Sequence, residues 1–137
     1  TTKPKLIIEK AYWDSKNVPF YVFHDQMFPR DVRKNLNWML NPLWRTTPHE
    51  RLLYLANYYA EAFKRYPNDL LGHIATRLNS QLAENDPRYS APATCFTEIR
   101  ELIAKQYLRF DLRKKIVYLR GHDIFLDHRI LELKEAA

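Results

Sequence analysis

The sequence predicts an α+β chain, mainly helical, in two parts. Residues 1–43 read as a helix–strand–helix edge of an α/β domain, and residues 44–137 as a winged-helix-like domain with a basic hairpin. Three observations carry this. Apolar residues recur at helical spacing in successive segments up to Gln106. A continuous apolar run, "VPFYVFH", separates the first two of those segments. After Gln106 the period changes to two, as Leu108, Phe110 and Leu112 alternate with Arg109, Asp111 and Arg113.

The first helix is expected over 4–16. Pro4 suits a first turn, where a missing N–H costs nothing, and Leu6, Ile7, Ile8, Ala11 and Tyr12 form a broad apolar face. Phe20–Phe23 then suit a strand covered on both faces. A lone strand leaves its backbone groups unpaired, and no other strand in residues 1–40 completes the sheet. Pro29 opens the next helix, with Val32, Leu36, Met39 and Leu40 inward, and Asn41-Pro42 stops it.

Three more helices follow. Thr47 and Glu50 have capping-box spacing, and Pro48 suits the first helical position. Leu52, Leu55, Ala56, Tyr59 and Phe63 mark the buried face, and Pro67 ends the helix. Asn68 is placed to cap the next, with Leu71, Ile74, Leu78 and Leu82 inward. Residues 85–92 read as a turn-rich loop. Thr94 is placed to cap the third helix, with Phe96, Ile99, Leu102 and Ile103 inward and Thr97, Glu98, Arg100, Glu101 and Lys105 exposed. The hairpin is expected to run up through Leu112, turn at residues 113–115, and return through Ile116–Leu119 to Gly121. Residues 128–137 read as a short terminal helix.

The composition narrows the chemistry. Hydrophobic residues make up 46% of the 137, enough to bury a core, and 2 Gly with 8 Pro argue against a low-complexity chain. Cys95, the single cysteine, excludes an internal disulfide and a cysteine-based zinc site, and suits a small buried residue in a reducing cytosol. No apolar run is long enough to span a bilayer, and the start does not resemble a signal peptide. With only Gly72 and Gly121 there is no glycine-rich phosphate loop. The five histidines show no paired ligand spacing; His122, Asp123, Asp127 and His128 read as a polar loop rather than a metal site, and His49 as a surface residue. Asp14-Ser15-Lys16 and Glu132-Leu133-Lys134 have the acidic-x-Lys spacing of metal-dependent nucleases, but neither falls on a core strand. Tyr54, Tyr58, Tyr59 and Tyr66 read as helix core and rim. No catalytic, cofactor-binding or metal residue is assigned.

The formal net charge is +6, which fits contact with nucleic acid or an acidic partner. In the expected hairpin Arg109, Arg113, Lys114, Lys115 and Arg120 face only Asp111, a balance of 5 − 1 = +4. These five are the candidate DNA-binding residues, a basic wing able to follow a phosphate backbone. The plain alternative is a solvated hairpin whose lysines deter edge pairing.

Two stretches carry a family resemblance. "KLIIEKAYWDSKNVPFYVFHDQMFPRDVRKNLNWML", with Tyr12-Trp13, the Pro19 strand, Asn35 and Trp38, resembles TnsA, the endonuclease subunit of a heteromeric transposase. "TCFTEIRELIAKQYLRFDL", with Glu98-Ile99-Arg100, is similar to a segment of the TnsA C-terminal domain. The resemblance implies that residues 1–43 close a restriction-endonuclease-like domain. That domain's acidic pair and lysine, with their Mg²⁺, would lie upstream of Thr1. The chain would then not cut DNA alone. It further implies a winged-helix-like module that contacts DNA, the TnsB subunit and the AAA+ regulator TnsC, in the cytoplasm of a bacterium, with no membrane and no small-molecule substrate. Two other classes fit the residues: a stand-alone basic winged-helix regulator, which the mixed charge of helix 94–106 disfavours, and a structural interaction domain whose charge is incidental.

Overall fold

The computed structural model describes residues 4–19 and 28–136. It is mainly helical, with helices α1 (Pro4–Ser15), α2 (Arg30–Leu40), α3 (His49–Arg65), α4 (Leu71–Ala83), α5 (Thr94–Ala104) and α6 (His128–Ala136). Short 3₁₀ turns occupy Asn41–Trp44, Pro87–Ser90, Ile116–Tyr118 and Gly121–Asp123. Strands β1 (Leu108–Arg109) and β2 (Phe125–Leu126) pair antiparallel, with Leu108 opposite Leu126 and Arg109 opposite Phe125. The expected strand Phe20–Phe23 and His24 lie outside the described residues.

The core forms where α3, α4 and α5 turn their apolar faces together. Leu52, Leu55, Ala56, Tyr59 and Phe63 of α3 are buried, as are Leu71, Ile74 and Leu78 of α4 and Ile99, Leu102 and Ile103 of α5. Phe96 and Leu82 pack at its edge. Each fully buried large apolar side chain contributes about 1.5–3 kcal/mol, so these faces dominate the fold. Of the tyrosines, Tyr59 is core, Tyr58 and Tyr66 are rim, and Tyr54 is exposed.

The helix ends differ from the expected caps. Pro48 is the N-cap of α3, and no side chain caps it; Thr47 instead donates to the Glu101 carboxylate at 2.6 Å. Leu70, not Asn68, precedes α4, and its backbone bridges to Arg120. Ala93 takes the N-cap of α5 in a left-handed conformation (φ 64°), and Thr94 donates to the carbonyls of Arg88 and Ala91. For Thr47 and Thr94 a longer-range partner or a loop carbonyl claims the hydroxyl that local spacing assigns to a cap.

The faces of the flanking helices also differ. None of α1 is buried, and Ile7, Ile8, Tyr12 and Trp13 are exposed. In α2 the buried residues are Asn35 and Met39, while Leu36 and Leu40 are exposed. The reason is α5. Trp38 packs edge-on against Phe96, its carbonyl accepts from Arg100 Nε at 2.6 Å, and the Arg100 guanidinium lies over its ring. These contacts rotate α2 so that the Asn35/Trp38/Met39 side faces inward.

The largest correction concerns the hairpin. Ile116–Tyr118 is a 3₁₀ turn, not a returning strand, and β1 pairs with Phe125–Leu126 further on. The segment between turns back early because Leu119 is buried and its carbonyl accepts from Leu71 N–H at 2.8 Å at the head of α4. Gly121 then presses on the end of α3. A Cβ there would lie 2.6 Å from the Phe63 carbonyl oxygen and closer still to that of Tyr66, so only glycine fits.

Candidate nucleic-acid interface

The candidate basic residues sit on residues 109–120, a loop fixed at several points. Leu108 and Phe110 bury into the core, and Leu112 packs beside it. The buried Asn35 amide of α2 donates to the carbonyls of Leu112 and Lys114, at 2.7 and 2.8 Å. Asp111 accepts from Arg113 N–H at 3.0 Å and forms the turn. At the far end Arg120 N–H donates to Asp123 at 2.8 Å, and the Arg120 guanidinium donates to the Asn68 carbonyl. Gly121 N–H and His122 N–H donate to the carbonyls of Asp69 and Pro67. The loop is thus a built surface rather than a free tip.

The fold brings two more carboxylates to it. Arg109 pairs with Asp127 at 2.8 Å, Arg113 with Asp111 at 3.0 Å, and Lys114 with Asp123 at 2.7 Å. Set against these three carboxylates, the five candidate cations leave +2, not the +4 counted along the hairpin alone, with Arg129 a further cation on Asp127 at 3.8 Å. The pairs are not equivalent. Asp127 and Asp123 are nearly closed off from water, so Arg109 and Lys114 act as latches. Asp111 is open, and an exposed pair is worth little, so Arg113 can exchange its carboxylate for a phosphate. Among the described residues the Lys115 side chain has no acidic partner and the Arg120 guanidinium bonds the neutral Asn68 carbonyl, so neither is matched by a carboxylate.

The carboxyls titrate accordingly. The Arg113 guanidinium holds Asp111 down at about 2. Burial pushes Asp123 up, but hydrogen bonds from Lys114 and Arg120 N–H outweigh it and hold the carboxyl below its ordinary value.

A second polar cluster lies between α3 and α5, on residues expected to be exposed. Glu101 is 2% exposed and accepts from Thr47, with Lys105 and Arg45 at 3.4 and 3.3 Å. Glu98 is half-buried, accepts from Tyr59 at 2.6 Å and pairs with Arg51 at 3.5 Å. Burial, then the charge of Glu98, pushes the Tyr89 hydroxyl up to about 12, and burial drives Tyr59 higher, so both act as neutral donors. This seam opens on a groove of about 1050 Å³ lined by Trp44, Arg45, Arg51 and Arg88. Glu101 and Glu98 partner Arg45 and Arg51, and Asp86 partners Arg88, so the groove offers an anion little unpaired charge.

No catalytic arrangement is assembled from these residues. Burial pushes the Cys95 thiol up, away from the reactive thiolate. Asp123 and Asp127 are engaged by cations, and among the described residues no three His, Cys, Asp or Glu side chains gather to hold a metal. His49 is exposed and contacts the Tyr107 hydroxyl at 2.6 Å. Asp14 sits at the end of α1 in an exposed pair with Lys10, and Glu132 is exposed on α6. No described helix is long and apolar enough to cross a membrane.

Sequence reasoning missed Asn35, Asp123 and Asp127 as parts of this surface. Asn35 stands in the "VRKNLNWM" stretch, but its role depends on residues more than 70 positions away. Comparison with protein-family models and with curated proteins finds no match.

Proposed function

We propose that the chain is the C-terminal portion of a TnsA-like transposon endonuclease. It serves as a non-catalytic module that contacts DNA and docks on TnsC and TnsB during cut-and-paste transposition. In this reading α1 and α2 close a restriction-endonuclease-like domain. Helices α3–α5 with the β1–β2 ribbon form a winged-helix-like domain, and residues 110–124 are its wing. One observation carries the reading: the two stretches that resemble TnsA, far apart in sequence, meet in space. Asn35 of the first holds the carbonyl of Leu112 at the end of the second, and Trp38 of the first packs on Phe96 and Arg100 of the second.

The charge supports the DNA contact. Arg113, Lys115 and Arg120 lie on one anchored loop with charge to spare for phosphate. The test has two arms. Replacing Arg113 and Lys115 with alanine should weaken binding to any duplex and lower the salt slope by about 2, near 0.9 for each phosphate left unneutralised. An unchanged slope sinks the wing as a DNA contact. Titration calorimetry against purified TnsC should show a complex. DNA binding without that complex leaves the stand-alone regulator as the better account.

A further inference from the structure

Between the basic residues of the loop stand two apolar side chains with no cover. Val117 and Tyr118 are 71% and 70% exposed. They occupy the 3₁₀ turn Ile116–Tyr118, with Lys114 and Lys115 before it and Arg120 after it. The turn is held from both sides. Asn35 grips the Lys114 carbonyl, Leu71 N–H grips the Leu119 carbonyl, and the turn closes itself through Tyr118 N–H to the Lys115 carbonyl at 3.0 Å. An aromatic ring presented on a fixed turn loses little entropy when it binds. Trp44 is more exposed still, at 86%, but it borders the groove whose arginines are already matched by carboxylates.

We propose that Tyr118, supported by Val117, is a stacking platform for unpaired DNA bases, and that the loop prefers DNA with locally opened strands over intact duplex. The occupant follows from the charge. Lys115 and Arg120, the loop cations not matched by a carboxylate, bracket the turn in sequence, so a ligand that pairs a polyanionic backbone with flat apolar faces suits this segment. A nucleic acid strand with exposed bases has both, whereas in a closed duplex the base faces are hidden by their own stacking. The inference rests on the DNA-contacting reading above and names the form of DNA the loop takes.

The experiment measures fluorescence anisotropy of the full chain with a labelled duplex and with the same duplex carrying a short mismatched bubble. The two probes have the same phosphates, so a difference reports the bases. The bubble should bind roughly tenfold tighter, within the range of a single base–aromatic stack. Tyr118→Ala should abolish that preference while leaving the salt slope unchanged, and Tyr118→Phe should keep it, since the ring face and not the hydroxyl is used. Circular dichroism of each variant verifies folding, which an exposed position does not threaten. Equal affinity for both probes, or a preference that survives Tyr118→Ala, overturns the platform while DNA binding itself stands. Failure of the wild-type chain to bind either probe in a salt-dependent way overturns the DNA reading and the platform together.

Discussion

Glu101, in the seam between α3 and α5, and Asp111, on the basic loop, both face an arginine, yet they do opposite work. Glu101 is sealed under the helices, with Thr47 and Lys105 completing its hydrogen bonds. Asp111 stands in water with Arg113 as its neighbour. Taking a charge out of water is costly, so a buried carboxylate persists only where donors surround it, and those donors then fix the geometry. In water the same pairing is screened and exchangeable. The seam therefore holds the helices in register, whereas the Asp111–Arg113 pair stays open to water. Asp123 lies between the extremes, nearly closed to solvent but at the loop's edge.

The largest effect is expected at the sealed end. Glu101→Ala removes the acceptor for Thr47 and leaves Lys105 and Arg45 facing each other without a counter-charge. We expect a loss of about 3 kcal/mol in urea unfolding, the low end for breaking a buried pair because Arg45 reaches solvent. A loss below about 1 kcal/mol, the range of an exposed pair, would erase the distinction between seam and loop.

Asp123 should give an intermediate effect with a pH signature. Its folded carboxyl lies below the ordinary value because Lys114 and Arg120 N–H favour the charged form over the cost of burial. The stabilisation is therefore complete above the unfolded carboxylate value near 4, and fades as pH falls through the lower folded value. Asp123→Asn keeps an acceptor for Arg120 N–H and removes the charge that faces Lys114, so it should cost up to about 1 kcal/mol at neutral pH, the upper range of a surface ion pair, and nothing at the acid end. Parallel melting curves for the variant and the wild type across pH read this directly. A constant difference at all pH values would assign the effect to packing instead of charge.

The same contrast explains how much the sequence disclosed. The periodicity of α3, α4 and α5 gave their inward faces correctly because each presents several large apolar residues to a common core, and that sum outweighs any local preference. The seam was not legible. Glu98, Arg100 and Glu101 fall on the outer face of an isolated helix, and only the arrival of Thr47, Trp38 and Arg51 from elsewhere makes them inward residues. The hairpin failed for a related reason. Alternation over Leu108–Leu112 indicates a strand without naming its partner. Leu119 docks at the head of α4, so Ile116–Leu119 does not pair with β1. The basic residues were visible in the sequence, but the carboxylates that reduce their charge were not, because Asp123 and Asp127 lie beyond the expected hairpin.

Asp111 marks the smallest effect on stability and the sharpest test of what the loop is for. Arg113 donates to it from its side chain and its backbone, and both partners are open to water. Asp111→Asn keeps a side-chain oxygen for the turn and removes the charge, so melting should not change measurably. The local balance rises from +2 to +3, and Arg113 is freed to meet a phosphate without first leaving a carboxylate. DNA binding should therefore tighten at low salt, and the gain should shrink as salt rises and screens the added charge. Asp123→Asn also raises the balance, but it loosens the Lys114 latch, so its gain should be smaller. If Asp111→Asn leaves DNA affinity unchanged at every salt concentration, the loop's cations serve the fold alone, and its surface differs from the seam in exposure but not in purpose.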